Sequence, residues 1–144
     1  RERERDILRL VRNEVAAQET EKDAFHLQQA QIVEARREVL AVHVADAVED
    51  YIVRLISATR GDPEINHLSR WIAYGASPRG TIALDVCARA HAWLEARDYV
   101  SPADVQAVVH DVLRHRVLLS YEAEADAVNT DKVIDTLLNH VAVP

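Results

Sequence analysis

The chain has 144 residues, 49% of them hydrophobic and 28% charged, with a formal net charge of −7. That length suits one domain burying about two-thirds of the surface its unfolded chain exposes, and the composition is that of a globular protein. The acidic balance argues against a nucleic-acid-binding face, which needs clustered Lys and Arg, and against adsorption to an anionic membrane.

Taken in order, residues 1–19 are expected to form an amphipathic helix with Ile7, Leu8, Val11 and Val15 on one face and alternating Arg and Glu in solvent. Residues 20–27 are polar and break the pattern, so a loop is expected there. A second helix is predicted over Gln28–Leu40, with Ile32, Ala35, Val39 and Leu40 turned inward. Val42-His43-Val44 alternates and is expected to be briefly extended. Asp46 is placed as the cap of a third helix, with Glu49 in the capping-box position and Val48, Ile52, Leu55, Ile56 and Thr59 buried. Gly61 supplies a left-handed stop, and Pro63 prevents continuation.

A helical turn is expected near His67–Ile72, with Trp71 and Tyr74 as core anchors. Then comes Tyr74-Gly75-Ala76-Ser77-Pro78-Arg79-Gly80. Ser77 suits an N-cap and Pro78 the first helical position. The apolar series Ile82, Ala83, Val86, Cys87, Ala90, Trp93 and Leu94 follows at helical spacing. Arg79 therefore falls in the first turn of a helix, where a cation adds to the positive end of the macrodipole instead of opposing it. Two readings are open: an exposed Arg paired with a carboxylate, or an anion site in which a phosphate answers both Arg and dipole.

Ser101-Pro102-Ala103-Asp104 repeats the start signal with an acid at the third position, opening a helix that buries Val105, Val108, Val109, Val112 and Leu113 and runs to about His115. His115 and Arg116 would face the negative end of that helix's dipole. Val117–Tyr121 is expected to be extended or irregular, and Glu122–Asp126 an acidic surface segment. Thr130 or Asn129 caps a last helix with Val133, Ile134, Leu137 and Leu138 inward. The fold class expected is all-α, a single bundle of about six helices with no convincing strand series.

Cys87 is the only cysteine, which excludes an internal disulfide, and it is expected as a small buried hydrophobe. No apolar run approaches the ~20 residues of a membrane span and no signal-peptide pattern opens the chain, so a cytoplasmic location is expected. The start, Arg1-Glu2-Arg3-Glu4 without Met and already helix-like, is that expected of a piece cut from something longer.

Chemistry is bounded by what is missing. The only glycines are Gly61, Gly75 and Gly80, and neither Lys22 nor Lys132 follows one, so no G-x-x-x-x-G-K-[ST] loop is present and the chain cannot cradle a triphosphate in that manner by itself. The histidines, including His91, His110 and His115, lack H-E-x-x-H spacing and a companion cysteine pair, so no metal site is expected. No G-x-S-x-G occurs, and Glu122, Glu124 and Asp126 form a solvated run. No catalytic residue is assigned to this chain.

The blocks Tyr51-Ile52-Val53-Arg54-Leu55, Ala58-Thr59-Arg60, Gly75-Ala76-Ser77-Pro78-Arg79-Gly80, Ala96-Arg97-Asp98-Tyr99-Val100-Ser101-Pro102-Ala103-Asp104-Val105 and Val112-Leu113-Arg114-His115-Arg116 resemble, in order and spacing, the C-terminal lid of MoxR-type AAA+ ATPases. The likeness spans about residue 42 to the end. It implies that residues 42–144 are the lid and residues 1–41 a helical connection from an ATPase core, packed as one unit with it. It further implies that Arg79 is the sensor 2 arginine, supported by Gly75, Ser77 and Pro78, reaching the terminal phosphates of a nucleotide. ATP and Mg²⁺ would be used by the full-length protein, whose phosphate-binding loop, Mg²⁺-binding acid and arginine finger belong to the core. The implied partners are that core, neighbouring subunits of a ring (a hexamer) and an unidentified client, and the implied work is chaperone-like remodelling. A non-enzymatic helical interaction module, using an apolar stripe on residues 1–20 or the last helix, is the alternative.

Overall fold

The computed structural model describes residues 2–17, 26–61 and 66–144, with side chains placed for 3–12, 26–61 and 68–144. It divides into two compact units, Arg1–Val33 and Glu34–Pro144. In the first, helix α1 spans Glu2–Ala17 and presents Ile7, Leu8, Leu10 and Val11 to solvent; Val15 and the loop expected over residues 20–27 fall largely outside the described residues. Helix α2, Gln29–Ala41, crosses the division. It buries no residue, and Ile32 and Leu40, expected inward, are exposed.

The second unit is built around α3, Asp46–Ala58, whose Val48, Tyr51, Ile52, Leu55, Ile56 and Ala58 are buried along with Thr59 just beyond it. The cap differs from expectation. Ala45 is the N-cap and makes no side-chain bond, while Asp46 and Glu49 lie inside the first turn, where their charges complement the dipole. Gly61 follows the helix with φ +108°, the left-handed region that favours glycine; Pro63 lies outside the described residues. The remaining elements are α4 (Asn66–Trp71), β1 (Ile72–Tyr74), α5 (Pro78–Leu94), α6 (Pro102–Leu113), β2 (Leu118–Leu119), α7 (Tyr121–Ala125) and α8 (Thr130–His140).

The helical class is as expected, with two additions. β1 and β2 pair antiparallel, Ile72 opposite Leu119 and Tyr74 opposite Leu118, with an irregularity between. Strands of three and two residues are too short to announce themselves by alternation. The acidic segment after Val117 closes into α7, because the Ser120 hydroxyl accepts from the Ala123 N–H at 3.2 Å as an N-cap. The extended Val42–Val44 stretch is real: the His43 N–H donates to the Asp98 carbonyl at 2.8 Å and the Val100 N–H to the His43 carbonyl at 2.9 Å.

The inner face of α5 is not the one its large apolar residues suggest. Gly80, Leu84, Ala88 and Ala92 are buried, whereas Ile82 and Leu94 are 66% and 73% exposed and Val86 is also exposed. The buried row repeats every four residues, and three of its four members are small, so α5 can lie close to α6 and α3, its main neighbours. Close approach selects size here, and size outweighs hydrophobicity. Tyr74, expected in the core, is 71% exposed on the ribbon. Trp71 is half-buried and donates from Nε1 to Asp126 at 2.9 Å.

A second tie holds the far end of α5. Ser101 and Asp104 make the expected capping box, with the Ser101 N–H donating to Asp104 at 2.8 Å. Asp104 is 1% exposed and also takes both Arg97 guanidinium nitrogens, the Ser101 hydroxyl at 2.6 Å and His91 Nδ1 at 2.7 Å. The Arg97 bonds, then those from Ser101 and His91, hold its carboxyl well below the usual carboxylate range against the opposing effect of burial. A depressed carboxyl contributes stability that is present above the unfolded pKa, ~3.9, and is lost as pH falls below it. Asp104→Ala is therefore expected to lower unfolding free energy by about 3 kcal/mol at pH 7 in urea titrations. The gap from wild type should narrow as pH drops from about 5 toward 2; a gap independent of pH would show that the carboxylate's charge is immaterial.

Candidate functional site

The chain leaves β1 and enters α5 through Gly75-Ala76-Ser77, and the end of α3 holds that passage. The Thr59 hydroxyl, fully buried, donates to the Ile56 carbonyl at 2.6 Å and accepts from the Ala76 N–H at 2.9 Å. The next residue, Arg60, donates from Nε to the Ala76 carbonyl at 2.7 Å. Both backbone polar groups of Ala76 are thus satisfied by successive residues of one helix end. Gly75 permits this contact, since a Cβ there would lie 2.2 Å from the Thr59 carbonyl oxygen.

Ser77 is the N-cap, with φ −75° and ψ 171°, and its carbonyl accepts from the Gly80 N–H at 2.7 Å. Its hydroxyl makes no capping bond, contrary to expectation; the turn is held through Ala76 instead. Pro78 is the first helical residue, as expected. Gly80 is buried against α3, where an added Cβ would meet Ala76 Cβ at 3.2 Å and Ile56 Cδ1 at 3.4 Å.

Arg79 stands between these anchored positions with its side chain exposed. Among the described residues it meets no carboxylate and makes no side-chain hydrogen bond, in contrast to Arg97 or Arg114, which are paired with Asp104 and Asp131. A rigid backbone on both sides and a guanidinium with all five N–H donors unspent is an arrangement suited to a planar oxyanion such as phosphate.

The four residues singled out from the sequence, Gly75, Ser77, Pro78 and Arg79, form one continuous turn. What sequence reasoning missed is the support from Thr59 and Arg60. Thr59 was legible as a buried position at a helix end, but nothing local reveals that its hydroxyl is spent on residue 76. Elsewhere, a groove of about 740 Å³ beside the ribbon has Glu124 as its only charged lining residue, and Arg79 is not part of it. Cys87 is half-buried and free. Among the described residues, no group of three His, Cys, Asp or Glu could hold a metal ion.

Comparison with known proteins identifies the family of the helical unit. The family model for the AAA lid domain matches residues 66–137. Chaperone MoxR1 of Mycobacterium tuberculosis is 44% identical over 103 residues, 70% of this chain and 27% of that protein. Protein MoxR of Paracoccus denitrificans is 36% identical over 110 residues, covering 71% of this chain and 32% of the relative. A crystal structure of a candidate ATPase from Cytophaga hutchinsonii superposes with a TM-score of 0.77 at 38% identity, over 80% of this chain and 36% of that one. The chain spans about a third or less of the curated relatives it matches. A helical unit with this turn, matched over these residues, belongs to the AAA lid domain family, and the chain is a lid of the MoxR-type AAA+ ATPases.

Proposed function

We propose that this lid couples ATP binding and hydrolysis in a MoxR-type ATPase to chaperone-like remodelling or maturation of a client complex, with Arg79 as its sensor 2 arginine. The observation that carries the reading is Arg79 itself, an exposed residue without a carboxylate partner among the described residues, on a turn pinned through both polar groups of Ala76. In this reading residues 1–41 connect the lid to the ATPase core, and the whole protein works as a cytoplasmic ring, a hexamer. The nucleotide's triphosphate is the anion that Arg79 meets. Mg²⁺ has no ligand set among the described residues and would be held by the core. A guanidinium brought to a transferring phosphoryl group stabilises charge that develops in the transition state and needs no proton transfer.

Arg79→Ala in the full-length ATPase is expected to lower ATP turnover about ten- to a thousandfold, the scale for loss of one charge-stabilising donor. The thermal midpoint of the 144-residue chain should be nearly unaltered, because Arg79 is exposed and has no partner among the described residues. Unchanged turnover would reject the assignment.

The anchoring predicts a different pattern for its supports. Thr59→Val leaves the Ala76 N–H buried without an acceptor and is expected to cost about 1–3 kcal/mol in chemical denaturation. It should also lower turnover, because the turn carrying Arg79 loosens. A Thr59→Val protein as active and as stable as wild type would show that the hydroxyl does not fix the turn.

A further inference from the structure

The groove of about 740 Å³ beside the ribbon is lined by both strands, by α7 and by the start of α8. Leu119 and Val128, half-buried and buried, give it an apolar lining, and Leu118 is 59% exposed beside them. The chain has four tyrosines, and the two most exposed, Tyr74 and Tyr121 at 71% and 91%, both line this groove. Exposed tyrosines around an apolar cleft are the composition of a recognition surface, because each ring offers a large contact area at low entropy cost.

The charge of the groove selects among occupants. Glu124 is its only charged lining residue, and it makes no ion pair or hydrogen bond among the described residues. Asp126, two residues on, is by contrast taken by Arg70 and by Trp71 Nε1. A carboxylate beside two tyrosine rings calls for a cation, since both the carboxylate and the ring faces attract positive charge. The net charge of −7 has the same sign, so a basic partner is drawn toward the chain and an acidic one repelled.

The backbone narrows the occupant to an extended polypeptide. Among the described residues β1 and β2 pair only with each other, so each strand keeps one edge without a neighbour. An extended chain can add to such an edge through main-chain hydrogen bonds while its alternate side chains enter an adjoining groove. A small amine or a docked helix would use the groove and leave the edge open.

We propose that the ribbon and its groove dock an extended segment of the client protein in which aliphatic residues alternate with Lys or Arg. The aliphatic side chains lie on Leu119 and Val128, and a cationic one meets Glu124 between contacts to Tyr74 and Tyr121. The proposal rests on the remodelling reading only in calling the partner a client; the binding itself involves neither nucleotide nor Arg79.

The test is fluorescence anisotropy of the 144-residue chain with a labelled Val-Arg-Leu-Arg-Val peptide. Val-Glu-Leu-Glu-Val and Ser-Arg-Ser-Arg-Ser are each expected to bind about tenfold more weakly or worse, one lacking the charge and the other the aliphatic groups. Glu124→Gln should weaken the basic peptide about fivefold, the upper end for one ion pair near the surface, and Tyr121→Ala by a similar factor. Glu124→Lys should move the preference toward the acidic peptide, which a residue of merely structural importance would not do. Equal binding of Ser-Arg-Ser-Arg-Ser would overturn the proposal, since it would reveal only general attraction to an acidic chain. So would affinity that neither Glu124→Gln nor Tyr121→Ala alters. A dimer in light scattering that Tyr121→Ala dissolves would assign the groove to a second copy instead, and binding by the 144-residue chain but not by the full-length ATPase would assign it to the core. Arg79→Ala should leave peptide affinity unchanged. Loss of turnover in that variant with no peptide binding by the wild type removes only the docking proposal, and the converse removes only the sensor assignment.

Discussion

The bond between the Thr59 hydroxyl and the Ala76 N–H is the constraint on which the rest of the architecture turns. It joins the end of the most buried helix to the start of the longest helix of the Glu34–Pro144 unit. α3 contributes Tyr51, Ile52, Leu55 and Ile56 to the interior, so its end is a fixed reference within this unit. Gly75 allows a backbone approach that a methyl group would obstruct at 2.2 Å, and at Gly80 a methyl group would press on the Ala76 Cβ at 3.2 Å. The glycines bracket Arg79, and the closeness they permit keeps the backbone of one exposed residue in a defined place.

Much of this was legible in the sequence, for stateable reasons. Pro78 and Pro102 mark helix starts because their ring fixes φ and their missing N–H costs nothing there. Ser101 with Asp104 reads correctly as a capping box, since both partners lie within three residues. Ser77 has the same local signal, but its third residue is Gly80, which has no side chain to return the bond, and its hydroxyl makes no capping contact. The capping residue of α8 is resolved in favour of Asn129, which accepts from the Lys132 N–H at 2.9 Å.

What stayed hidden depends on distance along the chain. Thr59 and Ala76 are 17 residues apart, and Arg97 reaches Asp104 across the loop between two helices. No periodicity encodes such pairings. The inner face of α5 does not follow hydrophobicity, which ranks Ile82 and Leu94 above Gly80 and Ala88, because packing against α6 and α3 rewards the smaller residues. Helix class and element order follow from pattern; orientation follows from contact.

α5 is secured at both ends by unrelated means: backbone contact to α3 at Ala76, and the Asp104 carboxylate that takes His91 and Arg97 beside α6. Its 17 residues span about 25 Å at 1.5 Å per residue. Uninterrupted by proline after Pro78 and fastened at each tip, it holds its first turn and the loop bearing Arg97 and Tyr99 at a set separation.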